Sequence, residues 1–133
     1  MKNFDNKGYL DRINHVGVDV FIESHDSFFA YSKYGNSVVE IPLDNSINQD
    51  TRDMIYDMAS GDWVCVIAWR FIHPLLADIL LKLPNGSVKA TTFEVGCHRS
   101  VVVLVHKNSY DLFEKFTLNI QSSSLVNQPY KKQ

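Results

Sequence analysis

The feature that most constrains this chain is a long, mostly apolar run, Trp63–Leu83, which reads WVCVIAWRFIHPLLADILLKL. A run of this length could cross a membrane only if it carried few charges. Arg70 and Asp78 lie within it, and a charge at the centre of a bilayer costs about 2.5–3.5 kcal/mol. Pro74 also interrupts it. The run is therefore predicted to form the core of a soluble domain and not a membrane span.

Pro74 divides this run into two predicted elements. The residues before it are rich in β-branched and aromatic side chains, which favours a strand buried on both faces. After it, a helix is predicted, since proline suits the first helical turn and Leu75 and Ile79 recur at helical spacing. An alternative is a strand over Ile79–Leu83 with Asn85-Gly86 as a two-residue hairpin turn. The helix is the preferred interpretation.

The whole chain predicts an α+β domain with a mainly antiparallel sheet, in the order β-β-β-α-β-α-β-β-α, and helices packed on one face. Residues 1–121 are expected to form this single domain, and residues 122–133 a disordered tail. A short edge strand over Thr117–Ile120 is an open alternative. Outside the central run, a first strand is predicted to begin at Asn14, with Val16, Val18, Val20 and Ile22 on one side. The other predicted strands are Ser27–Lys33, Val38–Ile41, Val88–Val95 and Ser100–Val105, with a hairpin turn at Tyr34–Ser37. One predicted helix has Met54, Ile55, Met58 and Ala59 inward and is capped by Asp50 or Thr51, and another covers Tyr110–Phe116 and is capped by Asn108 or Ser109.

Composition narrows the class of protein. The chain has 133 residues and a formal net charge of −2, which argues against a generally basic nucleic-acid binder. Its start, MKNFDNKGYLDR, lacks the apolar segment of a secretory signal, so we expect a cytoplasmic protein.

Motifs for metals and cofactors are missing from the sequence. Cys65 and Cys97 form no C-x-x-C pair and are predicted to be reduced core thiols. The five histidines lack a metal-ligand spacing, and the chain has neither a G-x-G-x-x-G nor a Walker A loop. We therefore predict no metal site and no cofactor.

The segment from Glu40 to Asp62 is strongly acidic, with six carboxylates and one basic residue. In a helix, positions three and four apart share a face, so three of these carboxylates should lie together, opposite the apolar side. Such a surface attracts a basic partner electrostatically, and tyrosines make good contact anchors beside it. The predicted partner-binding residues are Asp50, Asp53, Tyr56, Asp57 and Asp62, with Tyr31 and Tyr34.

The leading hypothesis is therefore a small protein-binding inhibitor, of the toxin-immunity or phage anti-defence type. Its partner would be a basic protein such as a toxin or a nuclease, whose positive cleft normally holds nucleic acid. This hypothesis includes no direct contact with nucleic acid or membrane, and it leaves the oligomeric state open.

A second hypothesis comes from a repeated motif. His25-Asp26-Ser27 and His98-Arg99-Ser100 both read H-x-S, followed by an apolar residue. In a strand, positions i and i+2 face the same side, so each motif would place an imidazole beside a hydroxyl. The pair resembles the two-histidine phosphoesterase pattern, H-x-[S/T]-x twice in one chain. That resemblance implies a metal-independent phosphodiesterase acting on a nucleotide or RNA end, with one histidine as base and the other as acid. The implied catalytic residues are His25, Ser27, His98 and Ser100, and the two imidazoles would have to face one cavity.

Overall fold

The computed structural model of the chain describes residues 17–32, 38–43, 47–95 and 97–121. These ranges contain four helices and five strands, and their bounds follow in chain order. They are α1 Val18–Ser24, β1 Ser27–Tyr31, β2 Val38–Pro42, α2 Gln49–Ser60, β3 Trp63–Trp69, α3 Pro74–Leu81, β4 Val88–Val95, β5 His98–His106 and α4 Lys107–Gln121.

The strands form two antiparallel sheets, which confirms the predicted α+β class. Strands β1 and β2 make a two-stranded sheet, and the other three make a sheet in the order β3-β5-β4. The middle strand, β5, is apolar from Val101 to Val105 and buried throughout that stretch. Because a strand in this position packs on both faces, a continuous apolar run is what its place requires.

Pro74 splits the central run as predicted, with β3 before it and α3 after it. The His73 side chain caps α3, since its Nδ1 accepts a hydrogen bond from the Leu75 N–H at 3.1 Å. The alternative strand over Ile79–Leu83 is wrong, because the helix continues to Leu81. The turn that follows is still a tight one, with Gly86 at a φ of 81° that glycine adopts without strain.

Two apolar clusters lie on opposite faces of the three-stranded sheet. One packs α1, the β1–β2 hairpin and α2 against residues such as Val102 and Leu104 of β5. The other packs α3 and α4 against Val101, Val103 and Val105. The helices therefore divide between both faces, and the expectation of a single helical face is corrected. The physical reason is that β5 is apolar on both sides, and each side must be covered.

The first predicted strand is wrong where the structure describes it, because Val18–Ser24 is a helix. The alternation of apolar and other residues suggested that Val20 would face inward. Instead Phe21 and Ile22, which are adjacent in sequence, are buried, while Val20 is 54% exposed. A helix brings this pair to the core together with Phe28 of β1, and burial of large side chains outweighs the weak strand preference of a short segment.

The α4 helix begins one residue earlier than the predicted caps, since the His106 Nδ1 accepts from the Asn108 N–H at 3.1 Å. It runs to Gln121, so the alternative strand at Thr117–Ile120 is wrong. The predicted turn at Tyr34–Ser37 and the tail at 122–133 lie outside the described residues. None of the helices in the described ranges is both long and apolar enough to span a membrane.

Candidate partner-binding groove

The acidic face predicted from the sequence lies on α2, and local chemistry fixes the ends of this helix. Asn48 caps its start, because its side-chain oxygen accepts from the Thr51 N–H at 2.9 Å; the cap is therefore neither Asp50 nor Thr51. Gly61 ends it with a φ of 81° and donates its N–H to the Met58 carbonyl at 3.2 Å. As predicted, the buried face of α2 carries Met54, Ile55, Met58 and Ala59.

This helix and strand β4 enclose a groove of about 400 Å³, here called the acidic groove. Its α2 side carries three carboxylates, its β4 side carries polar and small residues, and its floor is apolar. The lining residues are Asp50, Asp53, Met54 and Asp57 from α2, Lys89, Ala90 and Thr91 from β4, and Leu104 from β5. The structure thus brings together the three aspartates that helical spacing had placed on one face.

The three aspartates differ in their partners. The Asp57 carboxylate pairs with the Lys89 ammonium at 2.8 Å, and its side chain is only 19% exposed. Lys89 also lies over the Trp63 ring, 4.3 Å from its centroid. Asp53 accepts a hydrogen bond from the Gln49 amide at 2.8 Å. Neither Asp50 nor Asp53 has a basic partner among the described residues, so the groove keeps two uncompensated negative charges.

The other predicted contact residues are spread more widely. Tyr56 is 63% exposed and stands one helical turn from Asp53, beside the groove. Asp62 follows α2 and pairs with the Lys107 ammonium at 2.9 Å, and this hydrogen bond holds the pKa of Asp62 below its ordinary value. Tyr31 lies half-buried on β1, and neither it nor Asp62 lines the groove. Tyr34 lies outside the described residues.

Sequence reasoning missed the β4 side of the groove. Lys89 and Thr91 alternate along β4 on the same side as Leu104 and Val102, their partners on β5. The alternation of VKATTFEV predicted a strand but did not indicate which element would pack opposite it. Asp57 and Lys89 are 32 positions apart, so only the packing of α2 over the sheet makes them neighbours.

The second H-x-S motif lines a separate cavity of about 230 Å³, between β2 and the start of β5. His98 is exposed there and Ser100 is buried. Ser27, from the first motif, donates its hydroxyl to the Glu40 carboxylate at 2.7 Å, and Glu40 also lines this cavity. The complete lining is Val38, Val39, Glu40, Trp69, Arg70, His98 and Ser100.

His25 is not among the residues that line this cavity. Its ring stacks on Phe21 with the centroids 4.2 Å apart, and its Nδ1 lies 3.1 Å from the Phe21 carbonyl oxygen. Both of these contacts are with its own helix end. Of the four residues of the two motifs, His98 and Ser100 line the cavity, and Ser27 is bonded to the lining residue Glu40. The lining therefore contains one of the two imidazoles.

The potential metal ligands and the two thiols of the described residues lie apart from the acidic groove's lining, except for its aspartates. Within it, no group of three or more His, Cys, Asp or Glu side chains could hold a metal ion. Cys65 is buried in β3, where desolvation raises the pKa of its thiol to about 12. Cys97 is exposed, which corrects the expectation of two core thiols, since it lies in the connection between β4 and β5.

The acidic groove can attract and orient cationic groups, because its two unpaired carboxylates stand beside an apolar floor. Comparison of the chain with protein-family models, with curated proteins and with solved structures found no match.

Proposed function

We propose that this protein is a cytoplasmic protein-binding inhibitor, of the toxin-immunity or phage anti-defence type, whose acidic groove engages a basic protein partner. The observation that supports this most is the pair of carboxylates at Asp50 and Asp53, which face one groove without a basic partner among the described residues. A toxin or nuclease with a positive cleft has the complementary charge.

The physical basis is electrostatic steering followed by local contacts. Uncompensated carboxylates raise the rate at which a basic protein approaches, and the effect weakens as salt increases. Tyr56, exposed beside Asp53, offers the large, rigid contact surface common at interface anchors. A protein seated on a nuclease cleft in this way excludes nucleic acid from it and needs no contact with the nucleic acid itself.

The test is the double variant Asp50→Lys/Asp53→Lys, with Asp57 left unchanged because its replacement would break the ion pair with Lys89. A matched control is Asp78→Lys/Asp111→Lys, which changes the net charge equally on exposed positions of α3 and α4, against the opposite face of the sheet. Circular dichroism should show native folding for both variants.

Affinity purification from the native cell with the wild-type chain identifies the partner, whose toxin or nuclease activity is then assayed with added protein. Wild type and control are expected to inhibit it. The groove variant should bind at least about tenfold more weakly, mainly through slower association, and its affinity should depend less on salt. Equal inhibition by the folded groove variant, or the absence of any stoichiometric partner, would contradict the proposal.

A further inference from the structure

Strand β4 lies at an edge of the three-stranded sheet, because it pairs only with β5. It is long for an edge strand, running from Val88 to Val95, and its register with β5 has no bulge. Edge strands present a row of unpaired backbone groups and are sites where another chain can add.

The register identifies the free backbone groups. His106 of β5 donates its N–H to the Ser87 carbonyl at 2.8 Å, so the backbone N–H and C=O groups of this pair point toward each other between the two strands. In an antiparallel ladder such pairs alternate with pairs whose groups point away. Lys89 and Thr91 therefore point their backbone groups at β5, while Ala90 and Thr92 point theirs outward. Within the described residues, nothing accepts from or donates to these outward groups.

The acidic groove runs along the same strand. Lys89 and Thr91 project on its side of the sheet, and across from them stand the aspartates of α2. A strand added beside Ala90 and Thr92 would be about 4.8 Å further out, with every second side chain on the groove side. Those side chains would meet Asp50 and Asp53, whose charges are not neutralised, since Lys89 already pairs with Asp57.

We propose that β4 accepts an extended, basic segment of the protein partner as an added strand, with lysines or arginines at alternate positions over the acidic groove. This inference deepens the proposed function and rests on it. The free amides specify an extended occupant, as in other cases of strand addition, and the unpaired carboxylates specify a cationic one. In the added strand, small or β-branched residues suit the positions between the lysines or arginines, because these positions lie beside the exposed side chains of Ala90 and Thr92.

The probe is a blocked peptide of alternating lysine, acetyl-TKVKVKT-amide, titrated into the isotope-labelled full chain and followed by amide chemical shifts. Binding should move the amide signals of Ala90 and Thr92 and slow their hydrogen exchange. Two peptide controls are matched: acetyl-TEVEVET-amide reverses the charge, and an N-methylated lysine peptide lacks the backbone donors on one edge. Both should bind at least tenfold more weakly than the probe.

The decisive protein variant is Ala90→Pro, which removes an outward N–H and leaves the ladder to β5 intact, as proline at an edge allows. Its control is Ala90→Val, which keeps the N–H. For the probe and for the captured partner, the proline variant should bind at least about tenfold more weakly than the valine variant, which adds side-chain volume at the same position but keeps the N–H. Thr92→Pro removes the next outward N–H and replaces Ala90→Pro if that variant does not fold.

The outcomes separate this inference from the proposed function. A partner that is inhibited equally by wild type and by Ala90→Pro overturns strand addition and leaves the inhibitor proposal standing. Loss of inhibition with Asp50→Lys/Asp53→Lys and with Ala90→Pro supports both. If no partner is found, movement of the β4 signals by the lysine peptide alone supports the strand site without the inhibitor. A wild-type dimer in sedimentation that Ala90→Pro abolishes would overturn the inference, because a second copy would then occupy the edge.

Discussion

The two edges of the three-stranded sheet meet different surroundings. At β3, the β1–β2 hairpin packs against the strand, and the Ser32 hydroxyl donates to the Val66 carbonyl at 2.7 Å. Val66 lies at the bulge where β3 departs from its register with β5. At β4, the outward backbone groups of Ala90 and Thr92 have no such cover within the described residues.

This difference separates a stabilising edge from an interaction edge. Strand β3 contributes buried residues such as Val66 and Ile67, so its surroundings belong to the core. Strand β4 exposes Lys89, Ala90 and Thr92, and polar residues on an edge strand limit unspecific pairing. Changes around β3 should therefore cost stability, while changes along β4 should alter binding and leave the fold intact.

The largest effect is expected from Phe28→Ala in the hairpin that covers β3. Phe28 is fully buried and meets Phe21 edge to face at 6.2 Å between centroids. Truncation should lower the free energy of unfolding by about 3–5 kcal/mol through lost burial and a residual cavity. Urea denaturation measures this. Val38→Ala, at a 40% exposed position of the same hairpin, is the control and should stay within about 0.5 kcal/mol. A similarly small loss for Phe28 would mean that the hairpin does not belong to the core.

Thiol labelling compares Cys65 on the covered strand with Cys97, which follows the open strand. Cys97 is exposed and should react with a neutral alkylating reagent at once. Cys65 should react at least about a hundredfold more slowly, since it must wait for an opening of the structure. The Cys97→Ser variant isolates the Cys65 signal. Equal labelling rates in folded protein would show that β3 is not covered.

The Cys65 thiol also makes the stability of the folded protein depend on pH. Burial raises its pKa from 9.0 to about 12, so the folded state keeps the thiol protonated where the unfolded chain ionises it. This contribution to stability is fully present below pH 9 and is lost as the pH rises toward 12. Urea denaturation of the Cys65→Ala variant between pH 9 and pH 12 should lack this part of the loss in stability.

The smallest effect is expected from Ser32→Ala, which removes the hydrogen bond to Val66. The loss should be about 0.5–1.5 kcal/mol, the usual net value of one such bond, and denaturation measures it. Thr92→Ala on the open edge is the comparison and should change stability by no more than about 0.5 kcal/mol. Equal losses of stability in Ser32→Ala and Thr92→Ala would contradict the difference in stability proposed between the β3 edge and the β4 edge.

Much of the fold could be predicted because local chemistry decides it. Pro74 cannot continue a strand and suits a first helical turn, so it divides the central run in any context. Gly61 ends α2 because it adopts a positive φ without strain. The 3.6-residue period of α2 placed Asp50, Asp53 and Asp57 on one face before their surroundings were known. In each case the cause lies within a few residues along the chain.

Tertiary structure decided the features whose partners are distant in sequence. Val18–Ser24 alternates like a strand but becomes a helix, since only a helix turns both Phe21 and Ile22 into the cluster around Phe28. His25 and His98 share a motif, yet His25 stacks on Phe21 of α1 and His98 lines the cavity between β2 and β5.

For the acidic groove, the sequence determined where the carboxylates stand on α2. The packing of α2 over the sheet decided which of them are neutralised: Asp57 meets Lys89 and loses its excess charge, and Asp50 and Asp53 keep theirs. Sequence spacing fixes geometry within one element. Ion pairs between elements depend on how those elements pack, because charges interact through space and not along the chain.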